Sequence, residues 1–195
     1  MVKLALIRHG TTDWNRRHIV QGSTDIPLDE MGREEVNGWL LPPAVKTFRL
    51  IASPLSRAKE TALILSGRHP ETDNRLSEMS WGDWEGSVLD ELRQKFGDLM
   101  AAWEAKGLDF KSPNGESPRE VQNRLTPLLK EISKGGEDTL AVCHKGVIRA
   151  IYAMADNWDM TSKPKQKLRD GCLHLFELDN YGHPKISELN VNMVC

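Results

Sequence analysis

Apolar residues along this chain follow two rhythms. Short runs of strand length at positions 2–7, 49–53 and 139–143 each give way to a polar loop, and then to apolar residues at helical spacing. Thr139-Leu140-Ala141-Val142-Cys143 is nearly unbroken in apolar character, the pattern of a strand covered by helices on both sides. Asp29 is positioned to cap a helix that Pro42-Pro43 closes. Ser53 and Pro54 read as the cap and first position of another, with Ala58, Ala62 and Leu65 on its buried face. Ser117-Pro118-Arg119-Glu120 is a capping box with proline at the first helical position, predicting a helix to about 134 that Gly135-Gly136 ends. A further helix is predicted from 147 to about 157, and closing strands at 173–178 and 185–189.

Strands alternating with helices predict an α/β fold, a three-layer α/β/α sandwich with helices on both faces of a mostly parallel sheet. Residues 76–115 break the rhythm. They are rich in tryptophan and helical in pattern, and are expected to form a small, mainly helical insertion beside the sheet.

The 195 residues fit one domain, 1–195, with no linker long enough to divide it. Hydrophobic residues at 39% and charged residues at 28% are the balance of a soluble globular protein. A net charge of -2 supplies no basic excess for nucleic acid. No apolar run approaches the roughly 18 residues of a membrane span, and the first apolar run meets Arg8 too soon for a signal peptide. Cys143, Cys172 and Cys195 are odd in number and lack CxxC spacing, so a reducing, cytoplasmic location is expected rather than a disulfide framework.

In a parallel sheet the working end lies beyond the carboxyl ends of the strands. Three strand ends carry chemistry there: Arg8-His9-Gly10-Thr11-Thr12-Asp13-Trp14-Asn15, Ser53-Pro54-Leu55-Ser56-Arg57, and Cys143-His144-Lys145-Gly146. Two guanidinium forks and a histidine suit a compact dianion, with a phosphoryl group the obvious candidate. The second histidine can attack phosphorus as a neutral imidazole. A carboxylic acid must then protonate the departing alcohol and later activate water, and Glu78 is the leading candidate, with Glu85 next. A metal site built from His9, His144 and Asp13 is the weaker alternative, because the arginines would repel a cation.

These residues resemble the signature of the histidine phosphatase superfamily, the phosphoglycerate mutase-like fold. The resemblance is carried by Arg8-His9-Gly10-Thr11 with Asn15, and by Gln21-Gly22-Ser23-Thr24-Asp25-Ile26-Pro27-Leu28. It continues through Ser53-Pro54-Leu55-Ser56-Arg57-Ala58-Lys59-Glu60-Thr61-Ala62, Glu78 with Gly82-Asp83-Trp84-Glu85-Gly86, Gly115-Glu116-Ser117, and His144-Lys145-Gly146-Val147-Ile148-Arg149. The resemblance implies that His9 is the phosphorylated nucleophile and that Arg8, Arg57 and His144 hold the phosphoryl oxygens with help from Asn15. It implies that Glu78 is the acid and then the base, that Gln21 and Gly22 lie on a loop closing the pocket, and that no metal or organic cofactor is required. Lys145 occupies a position that is often small in the family, and its ammonium is expected to add positive potential for the substrate.

The compact chain and its Trp81-Gly82-Asp83-Trp84-Glu85-Gly86 segment resemble the phosphatase branch, including α-ribazole phosphatase-like enzymes, more than the longer cofactor-dependent phosphoglycerate mutases. The expected partner is a small phosphorylated metabolite, not nucleic acid or membrane. Outside these blocks plainer roles are expected. His18, His69, His174 and His183 read as structural. Asn15 and Gln21 could instead serve turns. Trp81, Trp84, Trp103 and Phe110 read as insertion core in preference to a wall for an apolar leaving group. Cys143 reads as inert packing.

Overall fold

The computed structural model describes residues 1–193; Cys195 lies outside them. Four strands, β1 (Val2–Arg8), β2 (Arg49–Ala52), β3 (Glu71–Thr72) and β4 (Thr139–Cys143), run in one direction. β5 (Cys172–Leu178) runs against β1, and β6 (Pro184–Asn192) runs against β5. Among the described residues the sheet has six strands in the order β3-β2-β4-β1-β5-β6, so the expected mostly parallel sheet is present with an antiparallel pairing on either side of β5.

The helices are α1 (Asp13–Arg16), α2 (Glu30–Asn37), α3 (Ser56–Ser66), α4 (Leu89–Phe96), α5 (Asp98–Glu104), α6 (Pro118–Gly135) and α7 (Lys145–Asp156). Alternation along β1 and β4 sorts the core into two layers. Leu4, Leu6, Ala141 and Cys143 pack with Val121, Leu125 and Leu129 of α6 and Val147 and Ile151 of α7. Ala5, Ile7, Leu140 and Val142 pack with Val36 of α2 and Ala58 and Ala62 of α3. Each leucine or isoleucine fully removed from water there contributes roughly 2 kcal/mol, and β4 is buried along its whole length. The α/β/α sandwich follows from that double burial.

Two helix starts differ from the sequence expectation. α3 begins at Ser56 with Leu55 at its cap, later than Ser53-Pro54 suggested. The Ser53 hydroxyl instead accepts from the Leu55 N–H and pairs with His144. α7 begins at Lys145 with His144 as cap, earlier than the apolar pattern indicated. The capping box at Ser117 and Glu120 forms as expected. β3 and α1 are too short for periodicity to reveal. In the 76–115 segment, α4 and α5 enclose a separate small core of Trp84, Leu92, Met100 and Phe110. Among the described residues no helix is long and apolar enough to cross a membrane.

Candidate active site

Register brings the three strand ends together. Arg8 pairs with Cys143 across β1 and β4. The His9 N–H continues that ladder to the Cys143 carbonyl at 3.0 Å, while the Ser53 N–H reaches the Val142 carbonyl at 3.0 Å. His9, His144 and Ser53 therefore emerge side by side at the carboxyl edge.

Each imidazole is held in a defined orientation. His9 donates from Nδ1 to the Gly10 carbonyl at 2.7 Å, which leaves the Nε2 lone pair free. Burial, reinforced by the charges of Arg8 and Arg57, holds its pKa well below the usual histidine value, so the ring is neutral. His144 lies with its ring centroid 5.1 Å from that of His9, the planes inclined by 59°. Its Nε2 is 2.7 Å from Ser53 Oγ. We assign the Ser53 hydroxyl proton to His144 Nε2 and the ring proton to Nδ1, the tautomer that leaves the unpartnered Nδ1 able to donate to an anion. Burial, then His9, Arg57 and Arg8, also keep His144 neutral.

Arg57, fully buried in the first turn of α3, donates from Nη1 to the Thr24 carbonyl and from Nη2 to the Gly22 carbonyl, both at 2.9 Å. Arg8 spends Nη1 on Asp170 Oδ2 at 2.8 Å. Among the described residues, the buried side-chain nitrogens or oxygens left without a hydrogen-bond partner are Arg8 Nε, Arg57 Nε and His144 Nδ1. Arg8 and Arg57 line the same cavity as His9, and His144 packs against the His9 ring. A buried donor without a partner costs about 1–3 kcal/mol, and an anion with several oxygens would satisfy all of them together.

Glu78 follows a tight turn at Asn74–Leu76 and lies partly buried in the cavity lining. Its Oε1 accepts from the Met79 N–H at 2.8 Å and the Gly146 N–H at 3.1 Å. Burial raises its pKa, against the opposing pull of these N–H groups and of Arg57 and Arg8. A carboxyl whose proton affinity is raised can act as an acid. Glu85 is otherwise employed: it accepts from the N–H groups of Ser23, Thr24 and Trp81 and from the hydroxyls of Ser23 and Thr24. Burial favours its protonation, but those bonds outweigh it and keep the pKa low, so Glu85 clamps the 21–24 loop to the insertion.

Asn15 completes a capping box with Thr12 and also lines the cavity, so the turn role is present beside the ligand position. Gln21 accepts from Thr12 Oγ1 at 3.0 Å and lines the cavity with Gly22. Gly22 has φ +52, and a Cβ there would collide with the Glu85 carboxylate. Lys145 is half-exposed at the mouth, its Nζ 3.8 Å from Asp170 Oδ2. The cleft has two lobes that meet at Arg8, His9 and Lys145. The lobe holding Arg57 and Glu78 measures about 490 Å³ and runs under Trp81 and Phe110. These two rings both support the insertion core and wall the cavity, whereas Trp84 and Trp103 pack within the insertion.

Asp13 pairs with Arg17 on exposed surface, at 3.2 Å. His174 is buried in β5, where its Nδ1 accepts from the Asn190 N–H, and His183 pairs with Asp179. His18 lines the second lobe, a placement its sequence context did not signal. Sequence reasoning also left out Ser53 as a histidine partner, Asp170 and Arg149. Asp170 precedes β5 in a stretch with no periodic signal, and only the tertiary contact with Arg8 reveals it.

Residues 4–192 match the family model described as histidine phosphatase superfamily, branch 1. A 2,3-bisphosphoglycerate-dependent phosphoglycerate mutase of Azorhizobium caulinodans is 30% identical over 90% of this chain and 91% of its own. Phosphoserine phosphatase 1 of Hydrogenobacter thermophilus is 31% identical over 78% of this chain and 75% of its own. Among solved structures, a phosphoserine phosphatase from Entamoeba histolytica in complex with 3-phosphoglyceric acid superposes with a TM-score of 0.81 at 28% identity, covering 98% of both chains.

Proposed function

The chain belongs to the histidine phosphatase superfamily, and on that premise we propose that it is a phosphatase that hydrolyses a small phosphomonoester through a phosphohistidine on His9. The observation that carries this reading is the set of three unpartnered buried nitrogens, Arg8 Nε, Arg57 Nε and His144 Nδ1, around a neutral His9 ring.

In the first step His9 Nε2 attacks phosphorus, and the ester P–O bond breaks as Glu78 gives its proton to the departing alcohol oxygen. Arg8, Arg57 and His144 hold the three oxygens of the transferring group, where charge spreads in the transition state. In the second step the Glu78 carboxylate takes a proton from water. That water attacks phosphorus, the P–N bond breaks, and inorganic phosphate leaves with His9 restored. Asn15, Gln21 and Gly22 border the group being transferred, and Lys145 adds positive potential at the mouth, shared with Asp170. A cytoplasmic setting fits the free thiols of Cys143 and Cys172.

The test is phosphate release from p-nitrophenyl phosphate together with trapping of the phosphoenzyme. The wild type should yield an acid-labile, base-stable phosphoprotein, and His9→Ala should lose both signals. Turnover persisting in His9→Ala would refute the mechanism. The likeness to the Azorhizobium mutase over nearly the whole chain keeps phosphoglycerate mutase as a second reading. Supplying 3-phosphoglycerate separates the two, since a phosphatase accumulates inorganic phosphate and a mutase the 2-isomer.

A further inference from the structure

We infer that Arg149 reads a second negative charge on the substrate, so that the enzyme favours a short phosphomonoester whose alcohol carries a carboxylate. The inference rests on the phosphatase reading above and concerns the alcohol side of the same cavity.

Arg149 lies on α7, three residues beyond Gly146, the backbone N–H of which holds Glu78. Three residues advance a helix by about 4.5 Å, and residues at that spacing share a face. Arg149 lines the same lobe as Glu78 and Gly146, with Trp81, Phe110 and Met160.

Its bonding sets it apart. Of the described arginines that are not exposed, Arg8, Arg33, Arg75 and Arg124 each meet a carboxylate, and Arg57 meets two backbone carbonyls. Arg149 makes no hydrogen bond or ion pair among the described residues. Its guanidinium carbon lies over the Trp158 ring, 5.0 Å from the centroid. That ring is itself fixed by Nε1–H donation to the Ser162 carbonyl at 2.9 Å. Burial pulls its pKa down with no carboxylate to oppose it. Other cations of the lobe are already answered, Arg93 by Glu104 at 2.9 Å and Lys145 by Asp170 at 3.8 Å. A guanidinium with no hydrogen-bond acceptor among the described residues keeps its donors for a ligand, and their fork matches a planar carboxylate in a bidentate manner.

The test compares 3-phosphoglycerate with glycerol 3-phosphate, which carries a hydroxymethyl group in place of the carboxylate. In Arg149→Gln the ratio of kcat/KM for the first ester over the second should fall by roughly tenfold to a hundredfold, the range for one charged hydrogen-bonding pair. Most of the fall should appear in KM, and Arg149→Lys should recover part of it. The ratio is internal to whatever fraction of the variant folds. An unchanged ratio, with both esters falling together, would assign Arg149 to holding Trp158 and overturn the inference. If the wild type releases phosphate from neither ester, the phosphatase reading fails. Calorimetric titration with the same two compounds then decides the inference by itself: a preference for 3-phosphoglycerate that Arg149→Gln loses supports it, and no preference overturns it.

Discussion

The Glu78 carboxylate rests against the backbone of Gly146, whose N–H lies 3.1 Å from one oxygen and 3.2 Å from the other. A Cβ at position 146 would overlap Glu78 Oε1, so the first turn of α7 and the general acid fit only while that residue is glycine. Gly146→Ala should displace the carboxyl and lower kcat on an alkyl phosphate by about 10²-fold, the scale of losing one positioned acid. Steady-state assays with an alkyl phosphate and with p-nitrophenyl phosphate check this, since only the first leaving group needs a proton. Equal losses on both would place the damage in phosphate binding.

The same proton gives a pH signature. Burial raises the Glu78 pKa, and a bound phosphoryl dianion beside it raises it further. The acid works only while protonated, so turnover of an alkyl phosphate should fall as pH rises through that titration. His9, held neutral, imposes no matching limb above its own lowered pKa. Glu78→Gln should abolish the descending limb for the alkyl ester and leave a flatter profile for p-nitrophenyl phosphate. A limb surviving in that variant would belong to another group.

Ser53 bears on the other histidine. Its hydroxyl is 2.7 Å from His144 Nε2, and in the tautomer assigned above it receives no ring proton, which stays on Nδ1. Ser53→Ala leaves that nitrogen without its partner and frees the ring to take the other tautomer. Inhibition by inorganic phosphate should weaken by about tenfold, one hydrogen bond to a charged group, and nitrogen NMR should show the His144 ring losing its Nδ1–H form. Phosphate inhibition unchanged alongside an unaltered spectrum would refute the tautomer assignment.

Acid should destabilise the fold through histidine. His9, His144 and His174 have folded pKa values below the ordinary value of 6.5, and for His174 burial lowers it to about 4. The unfolded chain therefore binds more protons below pH 6.5, and stability falls as pH drops from there toward 4. Thermal unfolding midpoints should decline over that window, and His174→Gln should lessen the decline without reference to catalysis. A midpoint independent of pH across the window would contradict the burial of these rings.

Burial is the part of this fold that the one-dimensional pattern expresses directly. Thr139 to Cys143 reads as a doubly covered strand because each of its residues meets a helix layer, and it is buried throughout. The capping box at Ser117 is equally local, its signal lying within four residues. Where a polar side chain had two possible partners, the local reading erred. Ser53 resembled a helix cap, but its hydroxyl is bound to a histidine far along the chain. β3 pairs only through Ile51 and Ala52, and no periodicity announces so short a strand.

Which residue types stand near the strand ends was written in the chain: the two histidines and two arginines lie where strands give way to helices, and Glu78 opens the insertion. Their protonation and their partners were decided in three dimensions. His9 is neutral because folding buries it near Arg8 and Arg57, and desolvation raises the Glu78 pKa against the opposing pull of the Gly146 N–H. Asp170 answers Arg8, Glu85 is consumed as a clamp, and among the described residues Arg149 is left without an acceptor. Spacing along a chain sets which side chains share a strand end or a helix face. Desolvation and charge pairing depend on every atom packed around a group, and those atoms come from segments that only the closed fold brings near.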